Sequence, residues 1–273
     1  MKADVVSMGI PQIGLGKVRE HSCLAKKEFP EIEVSPKLIE YQGRTFRVLK
    51  SSDQIGFKGD ITYVKRKLNQ LFSQYCLKKK SAVLDAFAGY GITTYDWLLS
   101  GGRVAAVEKN KNVHACLTEN LKDFPADQLK VQHADNVKVM EQLQASGAKF
   151  DTIDLDPFGN AYQQFKLSLK LLDKGFIWLT SGEHINMRRN WNRDVLISRY
   201  GEEVVKCYED KSTIPEFPKI IEKHMKSVRS DIQLVTHVMS HACARMLFAI
   251  GAAVPRSLKR EFSKIPRYYG YLA

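Results

Sequence analysis

One stretch decides how this 273-residue chain is interpreted: residues 83–99, VLDAFAGYGITTYDWLL. A short apolar run ends in Asp85, passes through two glycines one residue apart and enters a pattern of helical spacing, which predicts a strand, a tight loop and a helix. Glycine tolerates a positive φ and lets the backbone approach a ligand closely, while the first amides of a helix point outward. The sequence therefore predicts a ligand-binding loop in the first βα unit of a nucleotide-binding sheet.

Three acidic residues narrow the class of ligand. Asp85 closes the first strand, Glu108 follows the apolar run 103–107, and Asp135 closes the segment 130–134. The glycines are not followed by a Gly-Lys-Ser/Thr phosphate loop, and the third glycine of a dinucleotide fingerprint is missing. One carboxylate can accept hydrogen bonds from both hydroxyls of a ribose, and another from an adenine amino group. An adenosine-bearing cofactor without phosphates fits best; a solvated strand end for Glu108 and a helix N-cap for Asp135 remain alternatives.

This order of elements resembles the class I S-adenosylmethionine-dependent methyltransferases, in which the glycine loop, a ribose-binding acid and an adenine-binding acid follow one another. The resemblance implies S-adenosyl-L-methionine as the cofactor, and the chemistry needs no metal. The predicted cofactor contacts are Asp85, Phe87, Ala88, Gly89, Gly91, Glu108, Lys109, Asp135 and Asn136.

Strand and helix patterns alternate after the glycine loop, as a doubly wound sheet requires. The predicted elements are a helix at 93–100, a strand at 103–107, a helix at 111–122, a strand at 129–133, a helix at 136–145 and a strand at 150–155. Segments 232–239 and 244–250 are predicted to close the sheet as an antiparallel hairpin, with a helix as the alternative for the second. We predict an α/β, Rossmann-like class I methyltransferase fold with a mostly parallel seven-stranded sheet, helices on both faces and a small amino-terminal extension.

The predicted domain organisation has three parts. Residues 1–55 form the amino-terminal extension, with a hairpin at 37–49, and residues 56–255 form the cofactor-binding catalytic domain. A capped helix is predicted from residue 60, and residues 57–60 either touch the methionine end of the cofactor or simply begin this helix. Residues 256–273 form a basic and aromatic tail that lies along a nucleic acid or packs on the domain.

The tetrapeptide Asp156-Pro157-Phe158-Gly159 follows the fourth strand and carries the predicted chemistry. The lone pair of an exocyclic amine is delocalised into its base, so methylation is helped when a carboxylate and a backbone carbonyl accept the two amine hydrogens. Asp156 and the Pro157 carbonyl can be these acceptors, Phe158 offers a face to a flipped base, and Gly159 leaves room for it. The alternative is an ordinary turn at the end of a strand.

The motif in residues 154–159, followed by a helix and the strand GFIWLTS at 175–181, resembles the tRNA guanine-26 N2-dimethyltransferase family. The resemblance covers roughly residues 80 to 182. It implies that Asp156 faces the amine, that Phe158 stacks on the base, and that guanine N2 in RNA is the acceptor.

A basic and aromatic segment follows the fifth strand. We predict that Arg188, Arg189 and Arg193 contact phosphates and that Trp191 stacks on or wedges between bases. The alternative is a helix start with Trp191 in the core.

The net charge of +12 is unevenly distributed, with +8 in residues 1–80, −2 in residues 81–180 and +6 in residues 181–273. Basic flanks around a slightly acidic cofactor segment predict a nucleic-acid partner, with a lysine-rich soluble surface as the alternative. Arg44, Arg47 and Lys50 are candidate backbone contacts.

Five scattered cysteines without a Cys-x-x-Cys pair predict reduced thiols, and none lies between residues 117 and 206, which argues against ring-carbon methylation through a covalent adduct. The sequence lacks an apolar run of about 18 residues and an apolar signal-peptide core, so we expect a cytoplasmic protein without a membrane partner.

These features together predict a nucleic acid amino-methyltransferase that acts on an exocyclic base amine, with guanine N2 of an RNA favoured. A DNA adenine-N6 or cytosine-N4 methyltransferase is the alternative within this class. An inactive nucleic-acid-binding protein of the same fold is the alternative outside it. The residues do not decide the number of methyl groups or the oligomeric state.

Overall fold

The computed structural model describes residues 36–49 and 60–269. The first range is a hairpin of β1 (Pro36–Tyr41) and β2 (Arg44–Leu49), joined by Gln42 and Gly43. Both turn residues have a positive φ, of 47° and 75°, as a type I′ hairpin turn of two residues requires. The predicted hairpin is therefore present, while the predictions on Lys50 and on residues 57–59 lie outside the described ranges.

The first half of the large domain alternates strands and helices as predicted. A long helix, α1 (Asp60–Cys76), precedes the first strand of the sheet. The elements that follow are β3 (Ala82–Asp85), α2 (Ile92–Leu99), β4 (Arg103–Glu108), α3 (Lys111–Asn120), β5 (Leu129–His133), α4 (Asn136–Ala145) and β6 (Thr152–Leu155). The predicted boundaries of these elements agree with the observed ones within two residues.

The second half inserts extra helices between the fifth parallel strand and the closing hairpin. Two short 3-10 helices, at 202–205 and 211–216, flank one of them. The elements are α5 (Tyr162–Ser168), β7 (Gly175–Ser181), α6 (His184–Arg188), α7 (Arg193–Tyr200), α8 (Lys206–Glu209), α9 (Phe217–Lys226), β8 (Ile232–Ser240), β9 (Ala244–Ile250), α10 (Arg256–Ser263) and β10 (Tyr268–Tyr269).

The strands pair in the order β10-β8-β9-β7-β6-β3-β4-β5. The strands from β5 to β7 run parallel, and β9 is antiparallel to both β7 and β8. The predicted seven-stranded, mostly parallel sheet is confirmed, and its last two strands form a hairpin. The two-residue β10 adds an eighth strand parallel to β8 at the outer edge.

The strand order reverses at β3, where successive units extend toward β5 on one side and toward β7 on the other. In open α/β sheets of this kind, ligands bind at the carboxyl ends of the strands beside this switch point. A ligand site is therefore expected at the loops that follow β3, β4 and β6.

Two apolar layers cover the sheet. One contains Phe72, Trp97 and Trp178, and the tail helix α10 joins it through Leu258 and Phe262, which are buried. The described part of the tail therefore packs on the domain. No helix in the ranges 36–49 and 60–269 is long and apolar enough to cross a membrane.

The hairpin is fixed to the domain by Arg44. Its guanidinium donates to the Asp123 carboxylate at 2.7 Å and to the Asn120 carbonyl at 2.7 Å, and it lies over the Tyr95 ring at 5.4 Å. The charge of Arg44 is thus engaged in holding the hairpin, and Arg47 is the more exposed of the two arginines.

Candidate functional site

The glycine loop is held by the backbones of two neighbouring strands. Ala86 N donates to the Asp154 carbonyl at 3.0 Å, and Ala88 N donates to the Val107 carbonyl at 3.0 Å. These bonds fix the loop between the ends of β6 and β4. The predicted contacts Phe87 and Ala88 lie within this fixed segment.

The two glycines of the loop serve different needs. Gly91 has φ 88°, and a Cβ there would lie 2.7 Å from a Leu117 methyl and 2.9 Å from a Leu121 methyl, so Gly91 permits close packing of α2 on α3. Gly89 has φ 54°, and the nearest atom to a built Cβ is the Phe87 carbonyl oxygen at 4.0 Å. The space beside Gly89 is therefore open for a ligand.

Glu108, at the end of β4, is joined directly to the glycine loop. Its Oε2 accepts a hydrogen bond from Gly89 N at 3.1 Å, and its Oε1 accepts one from Asn110 N at 2.6 Å. A carboxylate has lone pairs beyond these two bonds, so Glu108 can still accept from a diol. The structure thus brings two of the predicted cofactor contacts together.

Asp135 is the N-cap of α4, which is the alternative role that the sequence offered for it. Its Oδ1 accepts from Val137 N at 3.0 Å and from Lys138 N at 3.4 Å, and its Oδ2 accepts from Lys109 Nζ at 2.9 Å. The hydrogen bond from Lys109 lowers the pKa of Asp135, so this carboxylate is ionised at neutral pH. Contact with an adenine amino group remains a prediction.

Asn136 connects α4 to the loop. Its amide nitrogen donates to the Ala86 carbonyl at 3.0 Å, and its side-chain oxygen accepts from Gln164 Nε2 at 2.9 Å. Asn136 therefore lies beside the glycine loop, and its predicted contact with the cofactor remains a prediction.

Asp85 lies buried beneath the loop and accepts a hydrogen bond from the Thr94 hydroxyl at 2.7 Å. Burial, together with the nearby charge of Asp154, raises the pKa of Asp85 to about 8. Asp85 is therefore largely protonated at neutral pH and supports the loop from inside the domain. A direct contact between Asp85 and a cofactor remains a prediction.

A fully buried ion pair that sequence reasoning missed lies beside Asp85. Arg245 of β9 donates to both carboxylate oxygens of Asp154, at 2.7 and 2.9 Å, and both side chains are completely buried. The guanidinium also donates to Thr180 Oγ1 at 3.1 Å and to Asn69 Oδ1 at 3.0 Å. The sequence did contain a signal for this pair: Arg245 stands in the apolar strand ARMLFAI, and a charge buried in such a strand requires a partner of opposite charge.

The predicted catalytic loop follows β6, two residues beyond the position where Asp154 pairs with Asp85. Lys65 Nζ donates to both oxygens of the Asp156 carboxylate, at 2.7 and 2.5 Å. Burial opposes the charge of Asp156, but the positive charges of Lys65 and Arg245 outweigh it and lower the pKa. Asp156 is thus an ionised hydrogen-bond acceptor.

The rest of this loop turns outward. Phe158 is 89% exposed, and Pro157 is half-buried. Gly159 has φ 123°, and its carbonyl accepts a hydrogen bond from Gly182 N at 2.7 Å, which ties the loop to the end of β7. An exposed aromatic ring two residues after an ionised carboxylate can stack on a base whose amine the carboxylate binds.

Cys243 approaches this loop from the turn between β8 and β9. A Cβ built on Gly182 would lie 3.5 Å from both the Ala242 and the Gly159 carbonyl oxygens, so the two loops adjoin. Burial raises the pKa of the Cys243 thiol against the charge of Lys65, which is the opposite of what an attacking thiolate needs. Cys243 thus lies near the site although it falls outside residues 117–206.

The predicted substrate-binding segment begins in α6. Nε and Nη2 of Arg188 are buried and find no hydrogen-bond partner among the described residues. Arg189 lies over the Trp191 ring at 4.8 Å, and Trp191 is 55% exposed, so its alternative placement in the core is wrong. Arg193 forms an exposed ion pair with Glu209 at 3.3 Å.

The backbone of this segment is held by hydrogen bonds from two side chains later in the sequence. Lys211 Nζ donates to the Met187 carbonyl at 2.6 Å, and the Tyr208 hydroxyl donates to the Trp191 carbonyl at 2.7 Å. His184 is buried against the Ser240 carbonyl at 2.9 Å, and burial lowers its pKa to about 4. His184 is therefore a neutral structural group.

Comparison with known proteins gives one family and several similar structures. The family model described as "Conserved hypothetical protein 95" matches residues 40–209, more than half of the chain. A Methanocaldococcus jannaschii protein with the provisional name ribosomal RNA large subunit methyltransferase is 26% identical over 184 residues, which is 63% of this chain and 46% of that protein. The chain thus spans about half the length of this curated relative.

Two solved structures share the fold at low sequence identity. Trm1 from Pyrococcus horikoshii, solved with S-adenosyl-L-methionine, has a TM-score of 0.57 and 15% identity over 83% of this chain and 64% of that one. The M. jannaschii tRNA m1G37 methyltransferase has a TM-score of 0.53 and 13% identity over 81% of this chain and 58% of that one. The predicted class I methyltransferase fold is confirmed.

Proposed function

This chain belongs to the family described as Conserved hypothetical protein 95, and we propose that it is an S-adenosylmethionine-dependent RNA methyltransferase that modifies the exocyclic N2 amine of guanine. One observation carries the proposal. The open glycine loop, the Glu108 carboxylate and the Asp156 carboxylate lie at the carboxyl ends of the neighbouring strands β3, β4 and β6. A cofactor and an acceptor amine bound there would face each other along one edge of the sheet.

The chain's own groups fit S-adenosylmethionine. The open space beside Gly89 admits a ligand next to the backbone, and Glu108 keeps acceptor capacity for the two ribose hydroxyls. Asp135, paired with the exposed Lys109, provides a further acceptor at the end of β5 for the adenine amino group. These residues, with Asn136 beside the loop, would hold the cofactor.

When bound, the cofactor would supply an activated methyl group from its sulfonium to the amine nitrogen, which would lose one proton to solvent. The ionised Asp156 accepts a hydrogen bond from the amine and stabilises the positive charge that develops on nitrogen. The Pro157 carbonyl accepts from the second amine hydrogen. Phe158, the exposed residue that follows Pro157, stacks on the base and fixes its plane.

RNA is favoured by the charge distribution and by the relatives. Residues 181–273 carry +6, and Arg188, Arg189 and Trp191 follow β7 on the same edge as Asp156. The curated relative is named for ribosomal RNA, and the second solved structure for tRNA. RNA is the substrate class common to both names. The choice of guanine N2 as the methyl acceptor rests on the resemblance of the Asp156–Gly159 motif to guanine N2-methyltransferases.

The test compares Asp156→Ala with Asp173→Ala. Asp173 is an exposed carboxylate at the opposite end of β7, paired with Lys149. Methyl transfer from labelled cofactor to unmodified transcripts should fall by about 100-fold or more in Asp156→Ala, the usual range for a positioned proton-handling group, and be unchanged in Asp173→Ala.

Cofactor affinity, measured by calorimetry, should be nearly equal in the two variants and the parent. Transfer that persists in Asp156→Ala would remove Asp156 from the reaction. A parent protein that binds RNA and transfers no methyl group would instead support an inactive nucleic-acid-binding protein.

A further inference from the structure

The three arginines of the predicted substrate-binding segment lie in different electrostatic environments. Arg193 forms an ion pair with Glu209, which partly cancels its charge. Arg189 lies over the Trp191 ring at 4.8 Å and is exposed, so water can reach its donors. Arg188, the last residue of α6, is half-buried, and its guanidinium has no hydrogen-bond partner among the described residues. The structure thus separates three residues that the sequence treated alike.

The environment of Arg188 lacks an anion. Its Nε and Nη2 atoms are shielded from solvent without an acceptor, and together they carry three of the five N–H donors of a guanidinium. Burial lowers the pKa of Arg188, yet an arginine side chain keeps its charge at neutral pH. Shielded donors without a partner destabilise the folded state, most strongly when the group is charged. Arg188 therefore occupies a position where an anion would be stabilising and no described residue supplies one.

An anion from outside can reach this guanidinium. Nη1 is not among the shielded atoms, so one end of the group is open to solvent. The side chain can also turn outward without breaking a hydrogen bond to any residue in the ranges 36–49 and 60–269. A phosphate accepts two parallel N–H bonds from one guanidinium. Binding a phosphate would thus supply hydrogen bonds that the folded chain does not provide.

Lys211 adds positive charge beside Arg188. Its Nζ donates to the Met187 and Tyr208 carbonyl oxygens, at 2.6 and 2.7 Å, and to the side-chain oxygen of Asn190. These three acceptors use every donor of the ammonium, but all three are uncharged. The charge of Lys211 is therefore not cancelled by its hydrogen-bond partners, and it raises the positive potential around residues 187–190.

Arg188 lies near the candidate methyl-transfer site. Gly182 N donates to the Gly159 carbonyl at 2.7 Å, which joins the end of β7 to the loop that carries Asp156. The helix α6 begins two residues later, at His184, and its five residues advance about 7.5 Å. One RNA strand could therefore place a base at Asp156 and a phosphate at Arg188.

We propose that Arg188 binds a backbone phosphate of the RNA beside the target nucleotide, with Lys211 raising the local positive potential. The inference rests on the RNA substrate of the proposed function, but it concerns binding and not methyl transfer. Phosphate contacts position a nucleic acid without reading its sequence. Arg188 would thus fix the register of the strand, and the choice of base would be left to the loop at Asp156.

The test uses Arg188→Met, with Arg193→Met as the matched control and Arg188→Lys as a variant that keeps the charge. Both methionine variants remove one positive charge from residues 188–193. The affinity for two labelled single-stranded RNAs of equal length and unrelated sequence is measured by fluorescence anisotropy over a series of salt concentrations. Loss of one phosphate contact should make the slope of log affinity against log salt less steep by about 0.7 in Arg188→Met. Arg193→Met and Arg188→Lys should keep the slope of the parent protein.

The affinity of Arg188→Met at fixed salt should fall by about tenfold for both RNAs, because a charge-assisted contact is lost. Its melting temperature should not fall, since methionine removes shielded donors that have no partner in the described part of the chain. Its affinity for S-adenosylmethionine, measured by calorimetry, should equal that of the parent protein.

Equal salt slopes in Arg188→Met and the parent protein, or equal changes in the two methionine variants, would overturn the inference. A lower melting temperature or a weaker cofactor affinity in Arg188→Met would also overturn it, because the guanidinium would then serve the fold or the cofactor. RNA binding without methyl transfer by the parent protein would overturn the proposed function and leave the inference standing. A parent protein that binds neither RNA would overturn both.

Discussion

Replacing Arg245 by methionine should destabilise the protein strongly, because it leaves the Asp154 carboxylate buried without its partner. Arg245 makes two bonds to Asp154, one to Thr180 and one to Asn69, and its guanidinium lies over the Trp178 ring at 4.7 Å. Both charged side chains are completely buried.

The expected cost follows from this burial. Removing one partner of a buried pair typically costs about 3–5 kcal/mol, a large part of the roughly 5–15 kcal/mol that stabilises a domain. Replacing both charges, as in Asp154→Asn with Arg245→Met, leaves no uncompensated ion. The double variant should therefore be more stable than Arg245→Met.

Urea unfolding of the two single variants, the double variant and the parent gives the coupling free energy. Arg193→Met is the matched control, because its ion pair with Glu209 is exposed, with side chains 49% and 66% accessible, and should contribute less than about 1 kcal/mol. The reasoning fails if Arg245→Met costs no more than Arg193→Met, or if the costs of the two single changes simply add.

Four further predictions concern the glycine loop with Asp85 beneath it and the predicted substrate-binding segment at residues 188–193. Glu108→Gln should weaken cofactor affinity about 10- to 100-fold by calorimetry, since hydrogen bonds to a charged group contribute about 1.5–3 kcal/mol; equal affinity would exclude a ribose contact. Gly91→Ala should lower the free energy of unfolding by about 2–4 kcal/mol because of its positive φ and the two close leucine methyls, whereas Gly89→Ala, in open space, should cost less. The protonated Asp85, whose pKa burial raises to about 8, contributes stability that falls as pH rises from about 4 to about 8; Asp85→Asn should flatten this fall in the melting temperature, and an unchanged slope would contradict it. Trp191→Ala should weaken RNA binding by about tenfold at fixed salt while cofactor affinity stays the same; equal RNA affinity would place Trp191 outside the interface.

The sheet is predictable from the sequence because its determinants are local. Each βα unit is built from neighbouring residues, so apolar runs and helical spacing locate β3 to β6 without knowledge of distant contacts. Glu108 could be placed at the ligand edge for the same reason, since the carboxyl ends of parallel strands share one side. Its bond to Gly89 follows from that topology.

The partners of the two key carboxylates could not be predicted in this way. Lys65 and Asp156 are 91 residues apart in the chain, and so are Asp154 and Arg245. Both contacts depend on how α1 docks and on the insertion of β9 beside β7, which no local pattern encodes.

For residues with two chemically reasonable roles, the sequence alone could not decide between the roles. Asp135 is a good N-cap and a good ligand for an amino group, and the structure shows the cap bonds. Trp191 suits a core as well as a binding surface, and its exposure excludes the core.

The most direct test of the proposed function is the identity of the methylated nucleoside. Unmodified RNA and DNA are incubated separately with the protein and S-adenosylmethionine bearing a deuterated methyl group, digested, and analysed by mass spectrometry. We predict deuterated N2-methylguanosine from RNA and no labelled nucleoside from DNA. Label in N6-methyladenosine would contradict guanine N2 as the acceptor, and label in a ring-carbon product or in no nucleoside at all would contradict the roles proposed for Asp156 and Phe158.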